Sequence, residues 1–204
     1  MASGLRVDHG TVSGIFSLDG ETHEVENNIW VIGDDEECVV IDAPHDVEAI
    51  LKVVEGRTVK AIICTHAHDD HARVAPELRQ AVGAPVLLHP DDKPLWELTH
   101  SDELWDADLE DGQSIKLAGA SIQVLHTPGH APGAVCLYVH DLGCVFTGDT
   151  LFQGGPGATG RSYSDEDLIK ESIRAKLLAL PDETVVHTGH GESTTIGAER
   201  PGLE

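Results

Sequence analysis

The amino-acid sequence predicts an α/β fold, and three observations support this prediction. Short runs rich in valine and isoleucine recur along the chain, amphipathic segments with a helical period lie between them, and the two kinds are mixed over the whole length. The chain has 204 residues, 40% of them hydrophobic, which is enough for one sizeable core. There is no low-complexity linker or internal repeat. We therefore expect a single domain over residues 1–204, in which helices cover sheets.

The predicted strands are short, rich in β-branched residues and mostly bounded by turn residues. They cover residues 29–32, 38–41, 59–64, 85–88, 121–125, 134–139, 143–146 and 184–186. A further segment, residues 10–25, has the pattern of an exposed hairpin or meander.

Three predicted helices lie between the strands. Apolar residues recur at helical spacing over residues 47–54, 74–82 and 164–177. Ser164 and Asp167 have the spacing of a capping box, so we expect the third helix to begin at Ser164.

The charge balance limits the possible partners. The chain has 13 Lys and Arg against 36 Asp and Glu, a formal net charge of −23. Such a surface repels phosphate backbones and anionic bilayers, so neither nucleic acid nor a membrane is an expected partner. None of the four cysteines forms a Cys-x-x-Cys pair and most lie in apolar runs, which predicts buried free thiols and a reducing cytoplasmic location.

A dense stretch of possible metal ligands follows the third predicted strand. Residues 65–71 read Thr-His-Ala-His-Asp-Asp-His, and imidazole and carboxylate are the groups that bind zinc and iron at neutral pH. His66 and His68 are two apart on extended backbone, so both rings can project to one side and grip one metal. Asp70 and His71 come where the next helix should begin, so they point elsewhere and can serve a second metal.

Three more candidate ligands also follow predicted strands. His130, Asp149 and His190 each come a few residues after a strand, in a turn that contains glycine. Loops at strand ends can converge, so the four strand ends predict one shared site. Asp149 is the natural bridge between two cations ~3.5–4 Å apart. His130 would complete the first metal site and His190 the second.

Four stretches of the sequence, in this order, resemble the metallo-β-lactamase superfamily, and within it the glyoxalase II-type hydrolases. They are His-x-His-x-Asp-His at 66–71, Thr-Pro-Gly-His-x-Pro-Gly at 127–133, Thr-Gly-Asp-Thr-Leu-Phe at 147–152 and Thr-Gly-His-Gly at 188–191. The resemblance covers residues 26–200 and implies a four-layer αβ/βα sandwich with a dinuclear metal site on one edge.

The resemblance also implies a full set of site residues. The seven implied metal ligands are His66, His68 and His130 for metal one, Asp70, His71 and His190 for metal two, and Asp149 as the bridge. Asp42, at the end of a predicted strand, matches a family aspartate that does not bind the metal itself but orients the ligands that do. The implied cofactors are two divalent cations, with zinc expected first and iron or manganese as alternatives, because these ligands suit all three.

The implied activity is hydrolysis of a small-molecule substrate, a thioester of a low-molecular-weight thiol, by a hydroxide that bridges the metals. In this interpretation Asp70 and Asp149 are catalytic, and Asp70 also holds the hydroxide proton. The loop after Asp149 should lie at the mouth of the site. There Arg161 is expected to meet a substrate carboxylate and Tyr163 to point at the oxyanion.

Other activities remain open at this stage. A persulfide dioxygenase on the same fold would use one iron held by His66, His130 and Asp149. A lactonase and a non-catalytic metal-binding domain are further alternatives, and lactam cleavage is a weaker one. His89 and His126 also follow strands, and we expect both to be structural.

Overall fold

The computed structural model describes residues 4–203. It confirms the predicted α/β class, because two mixed sheets are flanked by helices. The first and last residues of the predicted domain, 1–3 and 204, lie outside the described residues.

The first sheet has six strands in the order β1-β2-β3-β4-β5-β6. They are β1 Arg6–Leu18, β2 Glu21–Gly33, β3 Glu37–Ile41, β4 Thr58–Ile63, β5 Val86–Leu88 and β6 Ala107–Asp108. The pairs β1–β2 and β2–β3 are antiparallel, whereas β3–β4, β4–β5 and β5–β6 are parallel. The carboxyl ends of β3, β4 and β5 therefore meet at one edge of the sheet.

The second sheet also has six strands, in the order β14-β13-β10-β9-β8-β7. They are β7 Ser114–Leu117, β8 Ala120–His126, β9 Val135–Val139, β10 Cys144–Gly148, β13 Val185–Thr188 and β14 Thr194–Thr195, while β11 Leu151–Phe152 and β12 Gly155–Pro156 form a small separate ribbon. Strands β10 and β13 pair in parallel, so their carboxyl ends lie side by side.

Within residues 4–203, six α-helices flank the sheets. They are α1 Val47–Val54, α2 Asp69–Ala72, α3 Ala75–Val82, α4 Lys93–Thr99, α5 Glu166–Ser172 and α6 Ile196–Glu199. Helix α5 continues into a π-helical turn over Ile173–Leu177.

Three apolar clusters show that the layers stack as helix, sheet, sheet, helix. One cluster joins the first sheet to α1, α3 and α4 and contains Val40, Ile50 and Trp96. A second lies between the sheets and contains Ile63 and Phe146. The third joins the second sheet to α5 and α6. This is the four-layer sandwich expected from the resemblance.

The structure differs from the predicted elements in the N-terminal hairpin and at the start of the third predicted helix. The hairpin predicted over residues 10–25 is longer, with two strands of 13 residues each. The capping box at Ser164 is wrong: the N-cap of α5 is Asp165, whose side chain accepts the Leu168 amide. The Ser164 hydroxyl instead accepts the amides of Gly160 and Arg161, because a serine side chain bonds its own turn as readily as a helix end.

Two expectations about composition can be checked directly. The four cysteines are buried and free, as predicted. Among residues 4–203, none of the helices has the length and apolar character needed to cross a bilayer.

Candidate metal centre

All the predicted ligands lie at one edge of the sandwich, where strands of both sheets end. His66 and His68 follow β4, Asp70 and His71 lie in α2, His130 lies between β8 and β9, Asp149 follows β10 and His190 follows β13. The parallel pairing of the strands explains the convergence, because it brings their carboxyl ends together.

Three imidazoles form a first cluster: His66, His68 and His130. His68 Nδ1 lies 3.1 Å from His66 Nε2 and 3.1 Å from His130 Nε2. All three rings are buried. These spacings are close to those of nitrogen ligands around a tetrahedral zinc ion, given a Zn–N distance of about 2.0–2.1 Å.

A carboxylate and two imidazoles form a second cluster: Asp70, His71 and His190. His71 Nε2 lies 3.2 Å from His190 Nε2, and His190 Nε2 lies 3.2 Å from Asp70 Oδ2. The predicted division of the 66–71 segment is therefore visible in the geometry. Its first half faces one cluster and its second half faces the other.

Asp149 lies between the two clusters. Its Oδ2 atom is 3.6 Å from His130 Nε2 in the first cluster and 3.5 Å from His190 Nε2 in the second. Its Oδ1 atom is 3.2 Å from His71 Nε2. One carboxylate thus reaches ligand atoms of both clusters.

The outward ring nitrogens fix how two imidazoles of the first cluster point. His130 Nδ1 donates to the Ala158 carbonyl at 2.8 Å, and His66 Nδ1 donates to the Thr65 hydroxyl oxygen at 3.1 Å. These tautomers are inferred from the hydrogen-bond network. They leave bare lone pairs on the Nε2 atoms that face His68, as a metal requires.

The second cluster is oriented in the same way. His71 Nδ1 donates to Asp42 Oδ2 at 2.8 Å, and His190 Nδ1 donates to the Glu26 carbonyl at 2.7 Å. Asp42 also accepts the Thr65 hydroxyl and the Thr65 amide. Asp42 therefore supports the second cluster directly and the first one through Thr65.

Sequence reasoning missed two buried asparagines that hold the site. Asn27 Nδ2 donates to the Asp70 carboxylate and to its carbonyl, each at 3.0 Å. Asn28 Nδ2 donates to the Thr188 carbonyl at 3.0 Å, which fixes the turn before His190. The signal was present in the sequence, since two adjacent amides open the apolar part of β2 and buried amides need partners.

Close packing explains two of the motif glycines. A Cβ on Gly189 would lie 2.3 Å from Asp149 Oδ1 and 2.7 Å from His71 Cε1. Gly148 has a φ of 49°, and a Cβ there would lie 2.5 Å from Thr65 Oγ1. Larger residues at these positions would push the two clusters apart.

The first cluster favours neutral imidazoles. Burial lowers the pKa of His66 well below its usual range and the pKa of His68 to about 3. Burial also lowers the pKa of His130. These rings therefore carry free lone pairs at neutral pH.

The second cluster favours ion pairs. Burial opposes the charged form of His190, but Asp149 and Asp70 outweigh it and raise its pKa to about 10. The pKa of His71 is also raised, because Asp149, Asp70 and Asp42 outweigh burial. Burial is likewise outweighed at Asp70, where His71 and His190 lower the pKa to about 2.

The residues present fit two divalent cations. Asp149 Oδ1 is buried and lacks a hydrogen-bond partner among residues 4–203. In the first cluster the facing nitrogens of three neutral imidazoles lie 3.1 Å apart, and the Nε2 atoms of His66 and His130 carry no proton to donate. A cation satisfies both features at once, and imidazole with carboxylate is the donor set for zinc, iron or manganese. The two His/Asp clusters therefore fit a dinuclear metal site.

A cavity of about 230 Å³ opens onto both clusters. Its lining includes Phe16, His23 and Val25 of the β1–β2 hairpin, together with Phe152, Ala158 and Arg161. The loop that follows Asp149 and carries Arg161 contacts the tip of the β1–β2 hairpin, since the Ser162 amide donates to the Asp19 carboxylate at 2.9 Å.

Arg161 lines the cavity and Tyr163 does not. The Arg161 guanidinium lies 4.8 Å from the centre of the Phe16 ring. It has no ion pair with a carboxylate in the described part of the chain. Tyr163 is 48% exposed and has a φ of 69°. Its predicted contact with the oxyanion stays a prediction.

The fold and the two clusters define a metallo-hydrolase type of site, and comparison with known proteins identifies the family. Residues 24–190 match the model of the metallo-beta-lactamase superfamily, so the chain belongs to that superfamily. The expected resemblance is confirmed.

Two curated relatives align over most of the chain. Hydroxyacylglutathione hydrolase GloC of Haemophilus influenzae is 36% identical over 191 residues, covering 86% of this chain and 90% of that protein. The probable metallo-hydrolase YqgX of Bacillus subtilis is 33% identical over 195 residues, covering 86% and 90%.

Three solved structures share the fold. The BLEG-1 B3 metallo-beta-lactamase has a TM-score of 0.78 and 33% identity, covering 93% of this chain and 97% of that one. TTHA1623, solved in a di-iron-bound form, has a TM-score of 0.77 and 36% identity, covering 86% and 93%. ETHE1 from Myxococcus xanthus has a TM-score of 0.72 and 25% identity, covering 91% and 80%.

Proposed function

We propose that the protein is a dinuclear metal-dependent hydrolase that cleaves a thioester of a low-molecular-weight thiol. One observation carries the proposal: two separate ligand clusters share Asp149 and face one cavity. A mononuclear enzyme has no need for the second cluster, whose three converging ligand atoms would suit a cation of their own.

Each cluster would hold one cation. His66, His68 and His130 are the proposed ligands of the first, and Asp70, His71 and His190 those of the second, with Asp149 between them. Two bound cations would supply a hydroxide at neutral pH and polarise a carbonyl oxygen. Zinc is the first expectation, and the di-iron form of TTHA1623 supports iron as the alternative.

Asp70 would orient the attacking water. Its pKa is lowered to about 2, so it stays ionised at neutral pH and could accept a hydrogen bond from the water. Asn27 Nδ2 donates to Asp70 Oδ2 at 3.0 Å, and His190 Nε2 lies 3.2 Å from the same atom. A carboxylate held in this way would keep the lone pair of the nucleophile directed at the substrate carbonyl.

The cavity favours a substrate with an apolar part and an anionic part. Phe16 and Phe152 offer apolar surface, and Arg161 offers a guanidinium with no carboxylate partner among the described residues. A guanidinium binds a carboxylate through two parallel hydrogen bonds. A thioester needs little acid help to expel its thiolate, which suits a site without a dedicated proton donor.

The name of GloC supports thioester hydrolysis, because a hydroxyacylglutathione is a thioester and that relative aligns over nearly its whole length. Glutathione thioesters are therefore the first substrates to test.

The test is a substrate panel on protein of measured metal content: hydroxyacylglutathiones, other acyl thioesters, lactones, a β-lactam and glutathione persulfide. Two metals per chain and thiol release without oxygen uptake are the expected results. Turnover of only the lactones or the β-lactam would overturn the thioester proposal while keeping the hydrolase.

A second candidate is a mononuclear-iron persulfide dioxygenase. The specific observation is that His130 Nε2 lies 3.6 Å from Asp149 Oδ2, so His66, His130 and Asp149 could hold a single iron. The fold likeness to ETHE1 leaves this candidate open. One iron per chain with persulfide-dependent oxygen uptake would establish it and reject the hydrolase.

A further inference from the structure

A buried carboxylate outside the two clusters binds two backbone amides. Asp92 ends the 3-10 turn after β5, and its side chain is 0% exposed. Its Oδ2 atom accepts the Ala67 amide at 2.7 Å, and its Oδ1 atom accepts the Gly133 amide at 2.5 Å. Because both oxygens bind main chain, Asp92 fixes backbone rather than another side chain.

Both amides belong to the loops that carry the first cluster. Ala67 lies between His66 and His68, and Gly133 follows His130 by three residues. Asp92 therefore bridges the two loops whose spacing sets the 3.1 Å separation between His68 Nδ1 and His130 Nε2.

His68 lacks the support that the other four imidazoles have. Its outward atom, Nε2, is buried without a hydrogen-bond partner in the described part of the chain. Its ring packs on Phe16 at 5.1 Å between ring centres. A metal-ligating histidine is normally fixed by a bond from its other nitrogen. The His68 main chain is held on its carbonyl side by the amides of His71 and Ala72, and on its amino side by the preceding Ala67 amide, which Asp92 accepts.

We propose that Asp92 is a positioning residue for the first metal site and has little influence on the second. The second cluster has its own backbone ties, since the Ala43 amide donates to the His71 carbonyl at 2.7 Å and Asn27 Nδ2 donates to the Asp70 carbonyl at 3.0 Å. The inference rests on the proposed metal centre but not on the reaction it catalyses.

Two substitutions disturb this bridge. In Asp92→Asn one oxygen becomes an amide nitrogen, which is a donor, so only one of the two amides keeps an acceptor. Gly133→Ala acts from the other side, because its Cβ would lie 2.7 Å from the Asp92 amide nitrogen. Asp91→Asn is the matched control, since the same change falls one residue away on a side chain that is 59% exposed.

The experiment measures Co²⁺ affinity in two backgrounds of the full chain. His190→Ala leaves the first cluster intact, and His130→Ala leaves the second. We expect Asp92→Asn to raise the Co²⁺ dissociation constant about 10–100-fold in the His190→Ala background and to leave it nearly unchanged in the other. The visible spectrum of Co²⁺ should lose four-coordinate intensity only in the His190→Ala background. Asp42→Asn should weaken Co²⁺ in the His130→Ala background, because Asp42 Oδ2 bonds His71 directly.

Each outcome bears on the inference. Gly133→Ala with the same asymmetry, and Asp91→Asn with no effect, support it. Equal losses in both backgrounds, no loss in either, or failure of both Asp92→Asn and Gly133→Ala to fold would overturn it. The unsubstituted protein reports separately on the proposed function: fewer than two Co²⁺ per chain would count against the dinuclear hydrolase, whereas a symmetric effect of Asp92→Asn counts only against Asp92.

Discussion

The two halves of the metal centre meet at one carboxylate but are built on different electrostatics. The first cluster is three imidazoles whose pKa values are lowered by burial. The second contains two imidazoles whose pKa values are raised, because neighbouring carboxylates outweigh the effect of burial. The first half would therefore bind a cation through converging lone pairs. The second would bind it through carboxylate charge, for which protons on the imidazoles compete with the metal. Proton competition should separate the two sites.

The strongest test of this comparison is the residue that the halves share. Asp149→Asn removes the bridging charge from both, and we expect kcat/KM to fall by more than about 100-fold, beyond the 10–100-fold typical of an outer partner. Metal content should fall below two per chain by elemental analysis.

Asp69→Asn is the matched control for Asp149→Asn. Asp69 lies in α2 next to Asp70 but pairs with Arg73 and accepts the Ser17 amide at 3.1 Å, away from the metals. We expect it to keep two metals per chain. An equal loss in both variants would mean that negative charge near the site, rather than bridging, retains the metals.

Acidity should distinguish the halves next most strongly. His190 has a pKa of about 10 and is protonated at neutral pH, so a cation that binds the second cluster must displace at least one proton. Its affinity should fall about tenfold for each pH unit below neutrality per proton displaced. In the first cluster burial lowers the pKa of all three imidazoles, that of His68 to about 3, so its affinity should depend less on pH than that of the second cluster.

Calorimetry in buffers of different ionisation enthalpy measures this proton release. The His130→Ala variant isolates the second cluster and His190→Ala the first. Equal proton release from both variants would contradict the assignment of neutral imidazoles to one half.

The sequence predicted the positions of the ligands better than their support. His66, His130, Asp149 and His190 could be predicted because each follows a strand, and parallel strands end at one edge. Asn27 could not be assigned, because its role depends on strand β2 passing beside α2, which is a long-range contact. The difference between the halves was also hidden, since pKa values depend on burial and on neighbours from other loops.

The cavity next to the first cluster gives a smaller expected effect. Arg161 stacks on Phe16, which packs on His68, so a substrate carboxylate would bind on that side. Arg161→Gln should raise KM about tenfold with kcat unchanged, because about 1.4 kcal/mol of binding is lost at a half-exposed position. The effect should appear only for thioesters that carry a carboxylate.

Steady-state kinetics on a charged and a neutral thioester test this prediction. Arg161→Lys keeps the charge but loses the planar stacking, so its KM for the charged thioester should lie between the values of the unsubstituted protein and Arg161→Gln. A drop in kcat on both substrates would instead place Arg161 in the chemistry.

The smallest effect is expected at a third histidine and aspartate group, which shows why residue type alone does not make a metal site. His89, Asp91 and His126 also lie within reach of one another. Their separations are wider, however, at 3.8 Å from His89 Nδ1 to Asp91 Oδ2 and 4.0 Å from His126 Nε2 to the same oxygen. The two rings stack in parallel, with centres 3.9 Å apart, so their lone pairs do not converge.

The nitrogens of this third group that face Asp91 already have partners. His126 Nε2 donates to the Pro132 carbonyl at 3.0 Å, and His89 Nδ1 accepts the Asp91 amide at 3.3 Å. A cation would have to break both hydrogen bonds. In the first cluster, by contrast, His66 and His130 make their hydrogen bonds through the outward Nδ1 atoms, which leaves the inward Nε2 atoms available to a cation. We therefore expect His126→Ala to leave the metal content at two per chain by elemental analysis. A loss of one metal would mean that stacked, hydrogen-bonded imidazoles can still be recruited, and that lone-pair convergence is not what selects the first cluster.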